Sequence, residues 1–417
     1  MTKYRIVGGN RLSGDLFVQG SKNAALPILV ASILSGGKCE LHNVPKIADV
    51  QETINILKAI GCQVEFDGSV LDIDATGELS HAVPDDCAQK MRSSILFAGA
   101  LLARVGNAEI ALPGGCEIGK RAIDLHVAGL KALGAEVREE NGKLYCTTSG
   151  LKGAHIKLHT KSVGATENLL LAAVLAEGQT IIENAACEPE INDLVIFLNK
   201  MGAKITGAGV GTLIINGVKR LRPTHHTVIA DRIVAGTYLI ATAMTGGIVT
   251  LHNVNSRELG ALTTILSEMG SVVHGGNNCI TIAGPERLKA VAKIKTDIFP
   301  YFPTDLQPQI TAALAIAKGT SEIMETIFEN RFAHCLELNK MGANINISAD
   351  KKVFVTHGRE TLTGCEVTAT DLRCGAALVL AGLVAEGETV VDGIEFVKRG
   401  YVDMAEDLRK LGGDVVS

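Results

Sequence analysis

An α/β fold built from six repeated segments, three to a domain, is what this sequence predicts, and three observations predict it. A short helical ending closed by glycine occurs six times, as LKAIG, LKALG, LNKMG, LSEMG, LNKMG and LRKLG, at Gly61, Gly134, Gly202, Gly270, Gly342 and Gly412. The intervals between these glycines are 73, 68, 68, 72 and 70 residues, so the repeat is about 70 residues long. Behind each glycine comes a β-type run, five of the six broken by Gly, Asn or Asp turns, and ahead of each ending the apolar spacing is helical.

Within a repeat the elements can be justified in order. The first helix is apolar on nearly every side, as in NAALPILVASILSGG, GATENLLLAAVLAEG and LRCGAALVLAGLVAEG, and such a helix is a buried one. A short strand comes next, among them CELHNV, TIIENA and TVVDGI. The second helix keeps apolar residues at i, i+3 and i+4, as in DVQETINILKAIG, which suits a helix with one face on a core. Its closing glycine reads as a left-handed C′ residue, and the run behind it, such as CQVEFDGSVLDIDA, reads as a hairpin. Strand, buried helix, strand, amphipathic helix and hairpin then make a repeat whose helices lie inside and whose sheets lie outside.

Six such repeats divide into two domains, expected at 22–229 and at 1–21 plus 230–417, with VKRLRPTHHTV (218–228) as the linker. The opening segment has no repeat ahead of it, and the last hairpin stops short at GDVVS. Residues 1–21 are therefore expected to complete the final repeat, giving a second connection between the domains, with the active site in the cleft.

Composition narrows the function classes. The chain has 417 residues, 47% of them hydrophobic and 20% charged, a packed globular profile rather than a disordered one. Its formal charge of −5 provides no basic field for nucleic acid or an anionic membrane. Ten cysteines form no CxxC pair and no zinc spacing. The start, MTKYRIVGG, lacks the regions of a signal peptide, and the longest apolar stretches are short of a membrane span. A reducing cytoplasm is the expected compartment. GxGxxG after a strand, GxxxxGK[ST] and HExxH are all missing, and neither a metal nor a cofactor is implied.

The repeats act as an internal control on polar residues. Lys22-Asn23, Arg92, Lys161 to Gly164, Asp231-Arg232, Thr304-Asp305 and Asp371 to Arg373 stand where buried helices begin. Lys46, Cys116 to Arg121, Glu188 to Glu190, Arg257, Arg331 and Arg399 stand in the loops that lead into amphipathic helices. Residue type varies while position is fixed, the pattern of a function distributed over equivalent helix starts. Helix N-termini favour anions, and guanidinium groups match carboxylate and phosphate geometry, so a multi-anionic ligand is indicated. Any one of these side chains taken alone reads equally as a solvated surface residue, and Asp305 and Asp371 read equally as N-caps. In LPGGCEIGKRAIDLH (112–126), Cys116 sits beside glycines and just ahead of Lys120 and Arg121, where positive charge lowers a thiol pKa.

These segments, together with GSKNAALPIL (20–29), TKSVGATEN (160–168), FPTDLQPQ (302–309), IFENRF (327–332), TDLR (370–373) and VKRGY (397–401), resemble the enolpyruvyl transferases from end to end. The resemblance is to the branch acting on a UDP-sugar rather than to the shikimate-pathway branch, and the Cys loop is its most specific piece. It implies the two-domain inside-out α/β barrel. It also implies transfer of the enolpyruvyl group of phosphoenolpyruvate to the 3′-hydroxyl of UDP-N-acetylglucosamine, with release of phosphate, as the first committed step toward peptidoglycan. Catalytic residues implied are Cys116, Asp305, Lys22, Arg399 and Asp371. Phosphoenolpyruvate would meet Lys22, Asn23, Arg121, Arg331, Arg373 and Arg399. The UDP-sugar would meet Asn23, Arg92, Arg121, Ala122, Ile123, Asp124, Leu125, Lys161, Ser162, Val163, Gly164, Asp305 and Ile327. No nucleic-acid or membrane partner is implied, and a monomer is expected. The competing readings are the shikimate branch, distinguished by its acceptor, and a repeat scaffold without catalysis, distinguished by an absence of phosphate release.

Overall fold

Repetition of the local sequence is repeated in the backbone of the computed structural model, which describes residues 3–112, 123–350 and 352–417. All six repeat-closing glycines have positive φ, from 89° at Gly342 to 110° at Gly61, the conformation in which glycine carries no Cβ penalty. At the first of them the Cys62 N–H reaches back to the Leu57 carbonyl at 2.9 Å and the Gly61 N–H to that of Lys58 at 3.1 Å. The helix thereby satisfies its last carbonyls before the chain turns into the hairpin.

The apolar helices are buried as their composition requires. They are Lys22–Ala31, Leu96–Val105, Val163–Ala173, Arg232–Thr245, Gln307–Ile316 and Leu372–Gly382. Every residue of Arg232–Thr245 except Thr245 is buried. The amphipathic helices, such as Ala48–Ala59 and Pro189–Lys200, bury one face only.

Contacts divide the chain into two units, each with its own core. One lies between Gly20 and Ile229; the other joins the described residues up to Gln19 with Ala230–Ser417. In the first, Lys22–Ala31 and Val163–Ala173 both pack against Leu96–Val105; in the second, Arg232–Thr245, Gln307–Ile316 and Leu372–Gly382 pack on one another. Close packing has a visible cause at Gly99, where a Cβ would stand 2.2 Å from the Asn168 carbonyl oxygen.

Each repeat carries its own small sheet. Typically the strand between the two helices pairs antiparallel with the second strand of the hairpin and parallel with an edge strand, as Gln179–Glu183 does with Thr212–Asn216 and His155–Lys157. In the second repeat the edge strand shrinks to a single bridge, Ala82 to Glu109. In the last, Tyr4–Val7 lies between Glu388–Asp392 and Asp414–Val416 and pairs antiparallel with both.

Two edge strands join sheets far away in sequence. Ser13–Phe17 pairs parallel with Ile248–His252, and His225–Thr227 pairs parallel with Lys38–His42. The second pairing corrects the expected linker at 218–228, since part of it is a strand of the first sheet. His226 is buried at 3% exposure, and its Nε2 lies 2.9 Å from Asp193 Oδ1. A buried imidazole paired with a carboxylate fixes this segment in place. The chain crosses between the units at 19–20 and again at 229–230.

Among the described residues no helix is long and apolar enough to cross a membrane.

Candidate active site

Helix starts hold most of the polar residues singled out in the sequence. In the unit between Gly20 and Ile229, Ser21 caps the helix Lys22–Ala31 by accepting the Ala24 N–H. Lys22, at its first position, pairs with Asp49 at 2.6 Å, both side chains being largely shielded from solvent. Asp49 begins the helix Ala48–Ala59, and nothing in the local sequence singled it out. Asn23 is half-buried on the next position.

Ser162 caps Val163–Ala173 in the same manner, accepting the Ala165 N–H at 3.3 Å. Val163 and Gly164 form the first turn of that helix. Lys161, just outside it, brings its Nζ within 3.8 Å of the Cys187 Sγ. Gly164 lies against His126, for a Cβ there would stand 3.5 Å from the imidazole Cε1. His126 is held through Nδ1 by the Asn168 amide at 3.0 Å, while Asn168 Oδ1 accepts the Gly99 N–H at 2.8 Å. Burial, then the charge of Arg92, push the His126 pKa down to about 4, so a neutral imidazole sits among three helices at neutral pH. Leu125 is buried beside it, Ile123 is half-buried, and Asp124 is exposed and bonded to His159 at 3.1 Å. Cys116, Lys120, Arg121 and Ala122 lie outside the described residues.

The other unit holds a compact charged cluster. Asp305 lies in the short 3₁₀ turn Thr304–Leu306, which leads into the buried helix Gln307–Ile316. It caps neither: Pro303 stands at the cap position of the turn and Leu306 at that of the helix. Its two oxygens instead accept from two arginines, Arg331 at 3.0 Å and Arg373 at 2.8 Å. Both guanidinium side chains are about nine-tenths buried or more, at 4% and 6% exposure. Burial alone would push the Asp305 pKa up, but Arg373 and Arg331 outweigh it and hold the carboxyl well below the usual range.

Its surroundings hold that geometry. Arg331 also donates to the Thr304 hydroxyl at 2.8 Å and stacks over the Phe328 ring at 4.5 Å. Arg331 Nε is buried without a hydrogen-bond partner among the described residues. Glu325, 1% exposed, accepts from the hydroxyls of Thr296 and Thr304 and from the N–H groups of Ile327 and Phe328. It ties the loop bearing Ile327 to the residue next to Asp305, and sequence reasoning missed it. His334 lies buried near Arg331, and burial followed by that charge lowers its pKa to about 3.

Asp371 differs from Asp305 in what it does locally. Its Oδ1 accepts the N–H groups of Arg373 at 2.8 Å and Cys374 at 3.0 Å, capping Leu372–Gly382. Arg399 is half-buried, two residues beyond the short helix Ile394–Val397. Thus Asp305, Arg331 and Arg373 come together directly, Asp371 positions the backbone of Arg373, and Lys22 is held by Asp49. All nine described cysteines are free. Burial raises Cys62, Cys146 and Cys374 to about 12, so those thiols stay protonated. Among the described residues no group of three or more His, Cys, Asp or Glu is placed to hold a metal ion.

Known proteins share this sequence and this fold. Residues 6–408 match the family model described as EPSP synthase (3-phosphoshikimate 1-carboxyvinyltransferase). The UDP-N-acetylglucosamine 1-carboxyvinyltransferase 2 of Caldanaerobacter subterraneus subsp. tengcongensis is 50% identical over 416 residues, covering 100% of this chain and 99% of that protein. The UDP-N-acetylglucosamine 1-carboxyvinyltransferase of Geobacter metallireducens is 46% identical, with 100% and 99% covered. The crystal structure of the enolpyruvyl transferase NikO from Streptomyces tendae superposes with a TM-score of 0.89 at 25% identity, over 99% of this chain and 98% of that one. EPSP synthase from Acinetobacter baumannii shares the fold, with a TM-score of 0.78 at 20% identity and 100% of both chains covered. Its own family model, its relatives along the whole chain and its inside-out α/β architecture agree: the chain belongs to the EPSP synthase family of enolpyruvyl transferases, among the UDP-N-acetylglucosamine 1-carboxyvinyltransferases.

Proposed function

We propose that the chain transfers the enolpyruvyl group of phosphoenolpyruvate to the 3′-hydroxyl of UDP-N-acetylglucosamine and releases phosphate. The observation that carries this reading is the pairing of Asp305 with Arg331 and Arg373 at the start of a buried helix. It puts a candidate base and a candidate carboxylate receptor in one place. The reaction is the first committed step toward peptidoglycan, and the enzyme works as a monomer in the cytoplasm.

In the addition step the sugar oxygen bonds to C2 of phosphoenolpyruvate, the Cys116 thiol gives its proton to C3, and Asp305 takes the hydroxyl proton. In the elimination step the C2–O bond to phosphate breaks and C3 returns a proton to the protein. Lys22, Arg121 and Arg399 receive the phosphate, and Arg331 and Arg373 the carboxylate. The UDP-sugar is bound by Asn23, Arg92, Arg121 to Leu125, Lys161 to Gly164 and Ile327. Lys120 and Arg121, neighbours of Cys116 in the sequence, favour its thiolate and so its exchange of protons.

Asp305 held by two guanidiniums is a weak base, because its anion is already stabilised. The substrate carboxylate competes for those guanidiniums and thereby raises the basicity of Asp305 when the second substrate is in place. Asp371 uses one oxygen as a cap, and its other oxygen is the second proton handler.

Phosphate release with each candidate acceptor tests the assignment. Release is expected with UDP-N-acetylglucosamine and absent with shikimate 3-phosphate, and the reverse pattern would overturn the proposal.

A further inference from the structure

The loop carrying Arg399 joins two short helices. The helix Ile394–Val397 is only four residues long, and the next begins after its cap at Asp403. Between them, the N–H groups of Arg399, Gly400 and Tyr401 bond back onto the short helix. The outward side of the loop is held by Gln19, nearly four hundred residues earlier in the chain. Its Nε2 donates to the Gly400 carbonyl at 3.0 Å, and its Oε1 accepts the Val402 N–H at 2.9 Å.

This two-pronged contact has a specific chemistry. The Gly400 C=O and the Val402 N–H, two residues apart in a turn, both face the Gln19 carboxamide. A carboxamide presents a donor and an acceptor side by side and can meet both at once, whereas a carboxylate, thioether or ammonium offers at most one of the two. Gln19 is itself well held. Its carbonyl accepts the Asp231 N–H at 2.9 Å, and the preceding Val18 is buried and donates to the His252 carbonyl at 3.1 Å. Between the two clamped positions Tyr401 is fixed from the other side. It is 1% exposed, and its hydroxyl lies 2.8 Å from that of Thr237, which accepts the Gln309 amide at 3.1 Å. The backbone just beyond Arg399 is therefore fastened at three successive residues, two of them by Gln19.

We propose that Gln19 is a positioning residue for Arg399, setting the backbone from which that guanidinium reaches the phosphate of phosphoenolpyruvate. The inference rests on the phosphate role proposed for Arg399. Gln19 touches neither substrate; it acts through the loop. Misplacing a binding group without removing it weakens what that group binds and leaves other contacts intact.

Steady-state kinetics of the full chain test it, with phosphate release as the readout and each substrate varied in turn. Gln19→Met keeps the length of the side chain and loses both hydrogen bonds. It is expected to raise KM for phosphoenolpyruvate about five- to tenfold, the effect of losing one or two net hydrogen bonds, with KM for UDP-N-acetylglucosamine and the thermal midpoint nearly unchanged. In an Arg399→Lys background the same substitution should add little, since two changes acting on one contact are not additive. Equal shifts in both KM values, full additivity, or kinetics identical to the wild type each overturn the inference. Should Gln19→Met fail to fold, Gln19→Glu serves instead. It keeps the acceptor for Val402 and sets a carboxylate oxygen against the Gly400 carbonyl, so the same selective rise is expected and its absence is decisive. A wild-type chain that releases no phosphate refutes the functional reading and the inference with it, whereas an active wild type indistinguishable from Gln19→Met refutes the inference alone.

Discussion

Asp305, proposed above as the base, is held by both of its oxygens. Its carboxylate bridges two buried cations, so Asp305→Asn leaves Arg331 and Arg373 facing a neutral amide. Turnover is expected to fall by about 10²–10⁴-fold, the usual effect of losing a positioned base. Stability should respond too, with a definite sign. The folded pKa lies below the ordinary aspartate value, so the stabilisation is complete above that value and disappears as the pH falls toward the folded one. The wild type should therefore unfold at a higher temperature than Asp305→Asn at pH 7, with the gap closing under strong acid. His126 makes a separate prediction. Its pKa is about 4 when folded against about 6.5 when free. Stability is full above about pH 6.5 and falls by up to ~1.4 kcal/mol per pH unit between those values. Denaturant midpoints at pH 7 and pH 5 should differ less in His126→Gln than in the wild type.

At the scale of elements, helix starts explain what could be read from sequence and what could not. Ser21, Ser162, Asp231 and Asp371 all cap the helices they precede, a role the sequence analysis offered for Asp371. Asp305 had the same sequence context and is no cap, because Pro303 and a 3₁₀ turn shift the helix start by several residues. The partners that give these sites their character lie far off in the chain. Asp49 is 27 positions from Lys22, Asp193 is 33 from His226, and Glu325 is 21 from Thr304. No periodicity or spacing rule reaches across such intervals. The cap made by Asp371 and the proton-handling role proposed for it can be separated. Asp371→Ala should cost about 1 kcal/mol of stability through the lost cap. Asp371→Asn keeps a capping oxygen and should unfold like the wild type, yet turn over about 10²-fold more slowly. Comparing chemical denaturation with kcat for the two variants checks both statements.

For the whole molecule, the six-fold repeat was legible because a C′ glycine leaves a mark at every occurrence, and because a helix buried all round must be apolar all round. The assignment of edge strands was not. Ser13–Phe17 and His225–Thr227 precede their buried helices just as His155–Lys157 and Lys293–Lys295 do. Yet their sheet partners are Ile248–His252 and Lys38–His42. A three- to five-residue parallel strand carries no local label for its partner, so the 218–228 segment read as a linker. These pairings predict how fragments behave. Residues 20–229 contain every strand of their three sheets and should give a cooperative thermal transition when produced alone. Residues 230–417 lack both Tyr4–Val7 and Ser13–Phe17, which leaves Glu388–Asp392, Asp414–Val416 and Ile248–His252 with unpaired edges. That fragment should aggregate, and sedimentation with and without added peptide 1–19 measures the rescue.

The placement of Tyr4–Val7 between strands from the far end of the chain also sets an order of events during synthesis. Domains generally fold as units while the ribosome is still working. The described strands between Gly20 and Ile229 have all their partners as soon as that stretch has emerged, whereas Tyr4–Val7 must wait for Glu388–Asp392 and Asp414–Val416. During synthesis Tyr4–Val7 therefore stays an unmatched β-edge while nearly four hundred further residues emerge. That strand is the part of this protein for which a holdase chaperone would matter most.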